Sequence, residues 1–208
     1  MNNIQKYHNY FIKNRYDISN FRKPKFSKNK KNIVYDKLFF NFLNIIKHPD
    51  LTPFYNKNIE KNIKLNISQD LDNYKFKSKE KIIEKISYED NIDLSILETL
   101  CMYYKVNMIY WNNNIYFKMF FNTNNVNYYI VNQSCDIYCC KIEKIEHIEN
   151  NFYEIKNIQK PINSLSYYKV DDIKSILNTL SINYEDKMKK NELYEIMRKY
   201  IDSCIINI

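Results

Sequence analysis

The sequence contains no glycine and no alanine, and only four of its 208 residues are proline. Walker A and Rossmann loops need glycine where the backbone approaches a phosphate, so both nucleotide-binding motifs are excluded. Arginine occurs only at Arg15, Arg22 and Arg198, whereas Asn, Ile, Lys and Tyr are abundant. The missing residues need GC-rich codons and the abundant ones need AT-rich codons, which indicates a very AT-rich genome. The number of lysines is therefore weak support for nucleic-acid binding by itself.

Long apolar runs are also missing. No stretch reaches the roughly 18 apolar residues of a membrane span, and residues 1–31 contain no apolar run of signal-peptide length. The five cysteines are odd in number and form no C-x-x-C pair. We therefore expect a non-secreted protein of a reducing compartment, with free thiols, no membrane span and no cofactor.

Positive charge is concentrated at the start of the chain. Residues 1–34 hold nine Lys or Arg and one acidic residue, Asp17, and the whole chain has a net charge of +8, so the remainder is neutral. This predicts a flexible basic arm that neutralises phosphates or acidic lipid, although a solvated terminus without a ligand would look the same. The candidate phosphate contacts are Arg15, Arg22, Lys23, Lys25, Lys28, Lys30 and Lys31.

Apolar residues at helical spacing predict four helices before residue 105. They cover residues 38–46, 59–67, 79–87 and 94–104. Pro49 follows the first helix and disfavours its continuation. Ser78 is a candidate N-cap of the third helix, and Asp93 or Ser95 is a candidate N-cap of the fourth.

From Val106 the pattern changes to β-branched and aromatic runs, which predict strands at 106–111, 115–121, 127–131 and 136–142. Asparagine clusters at 112–114 and 122–127 separate the first three runs. Asparagine is the non-glycine residue that best tolerates positive φ, so both clusters predict hairpin turns. Aromatic side chains alternate along the strands, so half could stack on bases, but we favour a sheet with one face packed on a core. Residues 143–155 return to helical spacing.

The last 48 residues predict two short helices, at 170–180 and 187–201, joined by an extended connector. The predicted fold class is α+β, with N-terminal helices packed on a small antiparallel β-meander, followed by a C-terminal two-helix module. The predicted domains are the arm at 1–34, an α+β core at 35–160 and the module at 161–208. So few apolar residues in the module bury little surface alone.

The module resembles the SAP motif, a helix–extended–helix unit that binds DNA in many nuclear proteins. The resemblance rests on Val-Asp-Asp-Ile-Lys at 170–174, Leu-Ser-Ile at 180–182 and Lys-Asn-Glu-Leu at 190–193. Met188 stands where the motif has glycine. The resemblance implies phosphate contacts by Lys187, Lys189 and Lys190 at the second helix N-terminus. Because residues 165–201 hold seven basic and six acidic groups, binding would also need the arm.

A wider resemblance covers residues 33–201. The segments DKLFFNFLNIIK, LSILETLCMYYKVNMIYWNNNIYF and KPINSLSYYKVDDIKSILNTLSI look like a family in nucleocytoplasmic large DNA viruses. That family implies no activity. It implies a location in the virion or in the viral factory of the host cytoplasm, with DNA or viral proteins as partners. The leading hypothesis is a non-catalytic nucleic-acid-binding protein, and the first alternative is a protein-interaction module of the virion or replication compartment.

The second alternative is an inactive relative of papain-like and OTU-like cysteine proteases. In their layout a cysteine leads a helix and a following sheet carries a histidine, whose imidazole supports the thiolate. The corresponding positions here are Asn41 and Asn132, and asparagine supplies neither a nucleophile nor a proton shuttle. An active enzyme would need another nucleophile, for which Cys101 is the candidate, although its place on an apolar helix face also fits a core residue.

Cys135, Cys139, Cys140 and His147 form the pattern C-x3-C-C-x6-H, which invites a zinc interpretation. Adjacent cysteines on a strand point to opposite faces, so Cys139 and Cys140 cannot readily share one ion. We therefore predict no metal site and no catalytic residue.

Overall fold

The computed structural model describes residues 35–51, 54–122 and 127–205. These residues form seven α-helices, one short 3-10 helix (Leu165–Tyr167) and a five-stranded sheet, which confirms the α+β class. In chain order the elements are α1 Lys37–Ile46, α2 Lys57–Leu71, α3 Lys79–Tyr88, α4 Leu94–Tyr104, β1 Asn107–Asn112, β2 Ile115–Met119, β3 Tyr128–Val131, β4 Ile137–Cys140, α5 Ile142–Asn151, β5 Tyr153–Glu154, α6 Val170–Thr179 and α7 Lys190–Cys204. The predicted arm, residues 1–34, lies outside the described residues.

Side-chain caps set the starts of three N-terminal helices. Asp36, Asn56 and Asp93 each accept hydrogen bonds from backbone N–H groups in the first turn of the helix that follows. The prediction of Asp93 as the cap of α4 is therefore confirmed. Ser78 stands at the N-cap position of α3, but its φ is 56° and its side chain caps nothing.

Three helices are followed by a residue in the left-handed conformation, a position that glycine usually occupies and that other residues occupy here. Lys47, Lys105 and Ser181 follow α1, α4 and α6 with φ between 51° and 57°. At α1, His48 N–H donates to Leu43 O (3.0 Å) and Lys47 N–H donates to Asn44 O (3.2 Å), the Schellman pattern. The same pair of bonds closes α4 and α6. Asparagine was expected in the hairpin turns, and Asn113 between β1 and β2 has this conformation, with φ 50°.

The sheet is mixed, so the predicted antiparallel β-meander is wrong. Its strand order is β4-β3-β1-β2-β5. The pairs β1–β2 and β3–β4 are antiparallel as expected, but β3 runs parallel to β1 and β5 runs parallel to β2. The asparagine cluster at 122–127 is therefore not a hairpin turn. The predicted helix over 143–155 also ends early, at Asn151, and β5 follows it.

A buried side-chain amide binds the residues that follow β2. Met119 at the end of β2 lies opposite Met108, and Tyr128 at the start of β3 lies opposite Asn107, so these two strand ends lie on either side of the beginning of β1. Asn107, 2 % exposed, accepts hydrogen bonds from the N–H groups of Phe121 and Asn122 (both 2.9 Å). Its own amide donates to Asn122 O (2.6 Å). These three bonds hold Phe121 and Asn122 beside the start of β1.

Both faces of the sheet are covered. Met108, Tyr110 and Phe117 face a core shared with the helices on one side. On the other side Ile109, Tyr116 and Ile130 pack against Ile145 and Ile148 of α5. Tyr110, Tyr116 and Phe117 are all less than 5 % exposed, so these three aromatic side chains are core residues, as we expected, and cannot stack on bases.

The two C-terminal helices belong to the main core. Ile173, Leu177, Leu193, Met197 and Ile201 are fully buried within it. Three polar groups of β1 and the turn after it bond to this region: Tyr110 Oη and Asn112 Nδ2 donate to Cys204 O, and Asn114 Nδ2 donates to Leu180 O (each 2.6 Å). The chain from Tyr35 onward is one compact unit.

Candidate functional site

The structure places three of the ten predicted phosphate contacts. Lys187, Lys189 and Lys190 lie at the start of α7. Lys187 and Lys189 are exposed, and Lys190 is half-buried. None of the three forms an ion pair within the described part of the chain. The other seven, Arg15, Arg22, Lys23, Lys25, Lys28, Lys30 and Lys31, lie outside the described residues.

Backbone donors are also free at this helix start. Lys189 is the N-cap, and its ammonium group has no acceptor atom, so no side chain caps the N–H groups of the first turn. The backbone N–H of Lys189 itself donates to Glu192 Oε2 (2.7 Å). An anion at this position would meet the lysines and the helix dipole, with the Glu192 carboxylate as the opposing charge.

The start of α6 repeats this arrangement. Lys169 is its N-cap, and the Lys169 N–H donates to Asp172 Oδ2 (2.8 Å). In the connector, Asp186 pairs with Lys174 of α6 (3.4 Å). Basic and acidic groups therefore alternate over the surface of the two-helix region, and the start of α7 is where three lysines accumulate.

The positions that the protease layout singled out lie near each other. Asn41 on α1 donates from Nδ2 to the Cys135 carbonyl in the β3–β4 turn (2.7 Å). Asn132 begins that turn, and its Oδ1 accepts from Asp136 N–H (3.0 Å). Lys37 also joins α1 to this turn through Asp136 (2.7 Å). Both asparagine side chains make structural hydrogen bonds: that of Asn41 joins α1 to the turn, and that of Asn132 closes the turn itself.

Three cysteine thiols have raised pKa values and are therefore not activated as nucleophiles. Cys101 is 0 % exposed, and burial, reinforced by the negative charge of Glu98, raises the pKa of its thiol. Burial also raises the pKa of Cys140 to about 12 and that of Cys135 above its usual range. A nucleophilic cysteine needs a lowered pKa and access for substrate, and Cys101 has neither. This confirms Cys101 as a core residue.

Potential metal ligands do not converge. Within residues 35–51, 54–122 and 127–205, no group of three or more His, Cys, Asp or Glu side chains is arranged to hold an ion. In the same residues, no helix has the length and hydrophobicity needed to span a bilayer.

Sequence reasoning missed a buried charge cluster formed by Asp36, Glu60 and Lys64, which are all at most 3 % exposed. Lys64 Nζ lies 3.1 Å from Asp36 Oδ2 and 3.3 Å from Glu60 Oε1. Tyr55 Oη donates to Glu60 Oε2 (3.1 Å), and burial, reinforced by the negative charges of Glu60 and Asp36, raises the Tyr55 pKa far above its usual value. The sequence of α2 did contain a pattern that could have predicted the cluster, because Glu60 and Lys64 are four residues apart and lie beside the apolar Ile63 and Ile67.

The cluster satisfies its own polar atoms. The Asp36 carboxylate also accepts from the N–H groups of Phe39 (3.0 Å) and Ile92 (2.6 Å), and Lys64 Nζ donates to Asp90 O (2.7 Å). A hollow of about 140 Å³ beside it is lined by three basic and three acidic side chains together with Ser87 and Tyr88. Balanced charge selects neither an anion nor a cation, so the cluster is best explained as a joint between helices.

Comparison with models of protein families, with curated proteins and with solved structures found no match to this chain.

Proposed function

We propose that this chain is a non-catalytic nucleic-acid-binding protein of a large DNA virus. The observation that carries the proposal is the charge distribution: residues 1–34 have a net charge of +8 and the remainder is neutral. Such a segment binds phosphates by releasing their counterions, without reading the base sequence. Nucleic acid bound in this way would be recognised by charge, with little sequence preference.

The start of α7 supplies the second contact in this proposal. Its three lysines are placed beside uncapped backbone N–H groups, which together suit a phosphate oxygen. The order of α6, the connector at 180–189 and α7 is the helix–extended–helix order that a SAP-like module requires. Because the two-helix region is nearly neutral, it would orient the bound strand while the N-terminal segment supplies most of the affinity.

The proposal includes a viral origin and a location in the viral factory or the virion, both of which rest on the sequence resemblance. The buried Cys101 and the asparagines at positions 41 and 132 support a non-catalytic role. An ancestral cysteine-protease layout is compatible with the contact between α1 and the β3–β4 turn.

A protein partner is the second candidate, favoured by exposed apolar side chains at the start of α6. Tyr167 is 70 % exposed and Val170 is 39 % exposed, on either side of Lys169. Exposed aromatic residues are common anchors in protein interfaces. In this candidate the same region docks a virion or replication protein.

The test is binding of the full-length chain to duplex and single-stranded DNA over a range of salt concentrations. On duplex DNA, a plot of the logarithm of the binding constant against the logarithm of the salt concentration should have a slope near −0.9 per neutralised phosphate. Replacing Lys187, Lys189 and Lys190 together by glutamine should make the slope shallower by about one unit per lost contact. Replacing the seven basic arm residues by glutamine should make the slope shallower still.

The matched control replaces three other exposed lysines, Lys47, Lys75 and Lys77, by glutamine, which changes the net charge equally. If the two lysine variants lose equal amounts of DNA affinity and of salt dependence, the start of α7 is not a specific contact. No binding of the wild-type chain to either DNA at low salt would overturn the proposal and favour the protein partner.

A further inference from the structure

One edge of the sheet is an unprotected strand. In the sheet order, β4 and β5 are the two edge strands. The β5 edge is two residues long and carries Glu154, which pairs with Lys118 (3.4 Å) and with Lys156. The β4 strand has the sequence Ile-Tyr-Cys-Cys, with no charged residue, no proline and no bulge in its four-residue register with β3. Charge, proline and bulges are the usual means by which proteins prevent edge pairing.

The register identifies the free backbone groups of β4. Asn132 N–H donates to Asp136 O (3.2 Å), so this pair is hydrogen-bonded. Bonded and non-bonded pairs alternate in an antiparallel ladder, so Tyr138 and Cys140 bond to β3. Ile137 and Cys139 therefore direct their N–H and C=O groups away from the sheet. No hydrogen bond to these four groups occurs among the described residues.

We propose that β4 pairs with β4 of a second copy of this chain, antiparallel, to form one continuous ten-stranded sheet. Ile137 of each copy would lie opposite Cys139 of the other, so that all four outward groups of each copy are satisfied. Tyr138, which is 45 % exposed, would lie opposite its own counterpart on the two-fold axis. The pairing is the strand addition that exposed sheet edges support.

The charges that flank β4 favour this partner and this direction. Asp136, whose carboxylate also pairs with Lys37 of the same copy (2.7 Å), precedes the strand, and Lys141 follows it. In the antiparallel arrangement the basic end of one strand lies beside the acidic end of the other, whereas a parallel copy would place like charges together. Four residues give only four hydrogen bonds across the axis, so the dimer is expected to be weak and concentration-dependent. This inference does not depend on nucleic-acid binding.

The first test is sedimentation velocity of the full-length chain, in reducing buffer and over protein concentrations up to about 1 mM, a range that detects weak association. We expect the mass to rise towards twice that of the monomer. Cys139→Pro removes the outward N–H but leaves the bonds to β3, because this N–H takes no part in that ladder. It should raise the dimer dissociation constant about thirtyfold, since two bonds are lost per dimer. Cys139→Val keeps the N–H and should dimerise like the wild type.

A cross-linking test covers the case in which Cys139→Pro does not fold. Residues opposite each other at a non-bonded antiparallel position have Cα atoms about 4.5 Å apart, within disulfide range. Oxidised Tyr138→Cys should therefore form a covalent dimer through the introduced thiols, and Tyr88→Cys, an exposed tyrosine distant in sequence and on α3, should not. A wild type that stays monomeric, or equal cross-linking in the two cysteine variants, would overturn the proposal.

Discussion

At the scale of single residues, Asp93 combines two functions at the start of α4. Its Oδ1 accepts from the N–H groups of Ser95 and Ile96 (both 2.9 Å), and its Oδ2 accepts from Lys85 on α3. Burial opposes ionisation of this carboxyl, but the Lys85, Ser95 and Ile96 hydrogen bonds together hold its pKa below the usual value. The ionised form is therefore the one that stabilises the fold.

We predict that Asp93→Ala lowers the free energy of unfolding by about 1–2 kcal/mol near neutral pH, the usual loss for a helix cap. Because the folded pKa is lowered, the wild type keeps this contribution above the unfolded-state pKa of about 3.9 and loses it as the pH falls through the folded pKa. The difference in free energy of unfolding between variant and wild type should therefore shrink below about pH 4.

Urea denaturation at several pH values measures this difference, with Asp93→Asn as a variant that keeps a capping oxygen but not the charge. Asp171→Ala, which removes an exposed carboxylate, is the control. A difference that stays constant down to about pH 2 would show that the charge of Asp93 does not contribute.

Single residues also explain why the strand order was not predictable from sequence. Alternating patterns located four strands, because a period of two reports burial along each strand. Nothing in that pattern specifies which strands are neighbours. The Asn107 amide, for example, bonds to Phe121 and Asn122, which lie 14 and 15 residues later in the sequence. A buried asparagine at the start of a strand resembles any turn residue until its partners are known.

At the scale of elements, the buried cluster of Asp36, Glu60 and Lys64 joins three segments of chain. Asp36 is the cap of α1, the other two residues lie on α2, and Ile92 N–H brings in the loop before α4. Removing one partner of a buried ion group leaves uncompensated charge, and this costs more than the intact group contributes.

We predict that Lys64→Met lowers the free energy of unfolding by about 3–5 kcal/mol, because two carboxylates stay buried without a counter-ion. Lys61→Met is the matched control, since Lys61 is an exposed lysine one turn earlier on the same helix. It should change stability by less than about 0.5 kcal/mol. Chemical denaturation of both variants measures these changes. Equal losses in free energy of unfolding would mean that the cluster does not stabilise the contact between the helices.

Helix positions were well predicted, because α1 to α4 each carry an apolar stripe that repeats every three or four residues. The candidate site was less predictable. Lysines at the start of α7 were visible in the sequence, but their exposure depends on how α7 packs. The buried charges of α2 were overlooked because Glu and Lys four residues apart usually lie on a solvated helix face.

At the scale of the whole molecule, the C-terminal helices complete the core. Their fully buried side chains lie in the same cluster as Tyr110 and Phe117 of the sheet. The polar ends of Tyr110, Asn112 and Asn114 donate hydrogen bonds to backbone carbonyls of this region. Removing the region would expose a sheet face and take away these acceptors.

We therefore predict that deleting residues 163–208 abolishes cooperative thermal unfolding, as followed by near-ultraviolet circular dichroism. The full-length variant with glutamine at positions 187, 189 and 190 is the control and should unfold like the wild type, because Lys187 and Lys189 are exposed and Lys190 is only half-buried. A truncated chain that unfolds cooperatively near the wild-type temperature would show that residues 35–162 form a self-sufficient core.

The left-handed turns have a consequence for how such a sequence evolves. Six described residues other than glycine have positive φ: Lys47, Ser78, Lys105, Asn113, Cys135 and Ser181. Each costs roughly 1 kcal/mol more than glycine would, and their sum is comparable to the whole net stability of a typical domain, about 5–15 kcal/mol. The absence of glycine thus carries a thermodynamic cost for this protein. Mutations that weaken the core are expected to be tolerated less here than in a fold whose turns contain glycine.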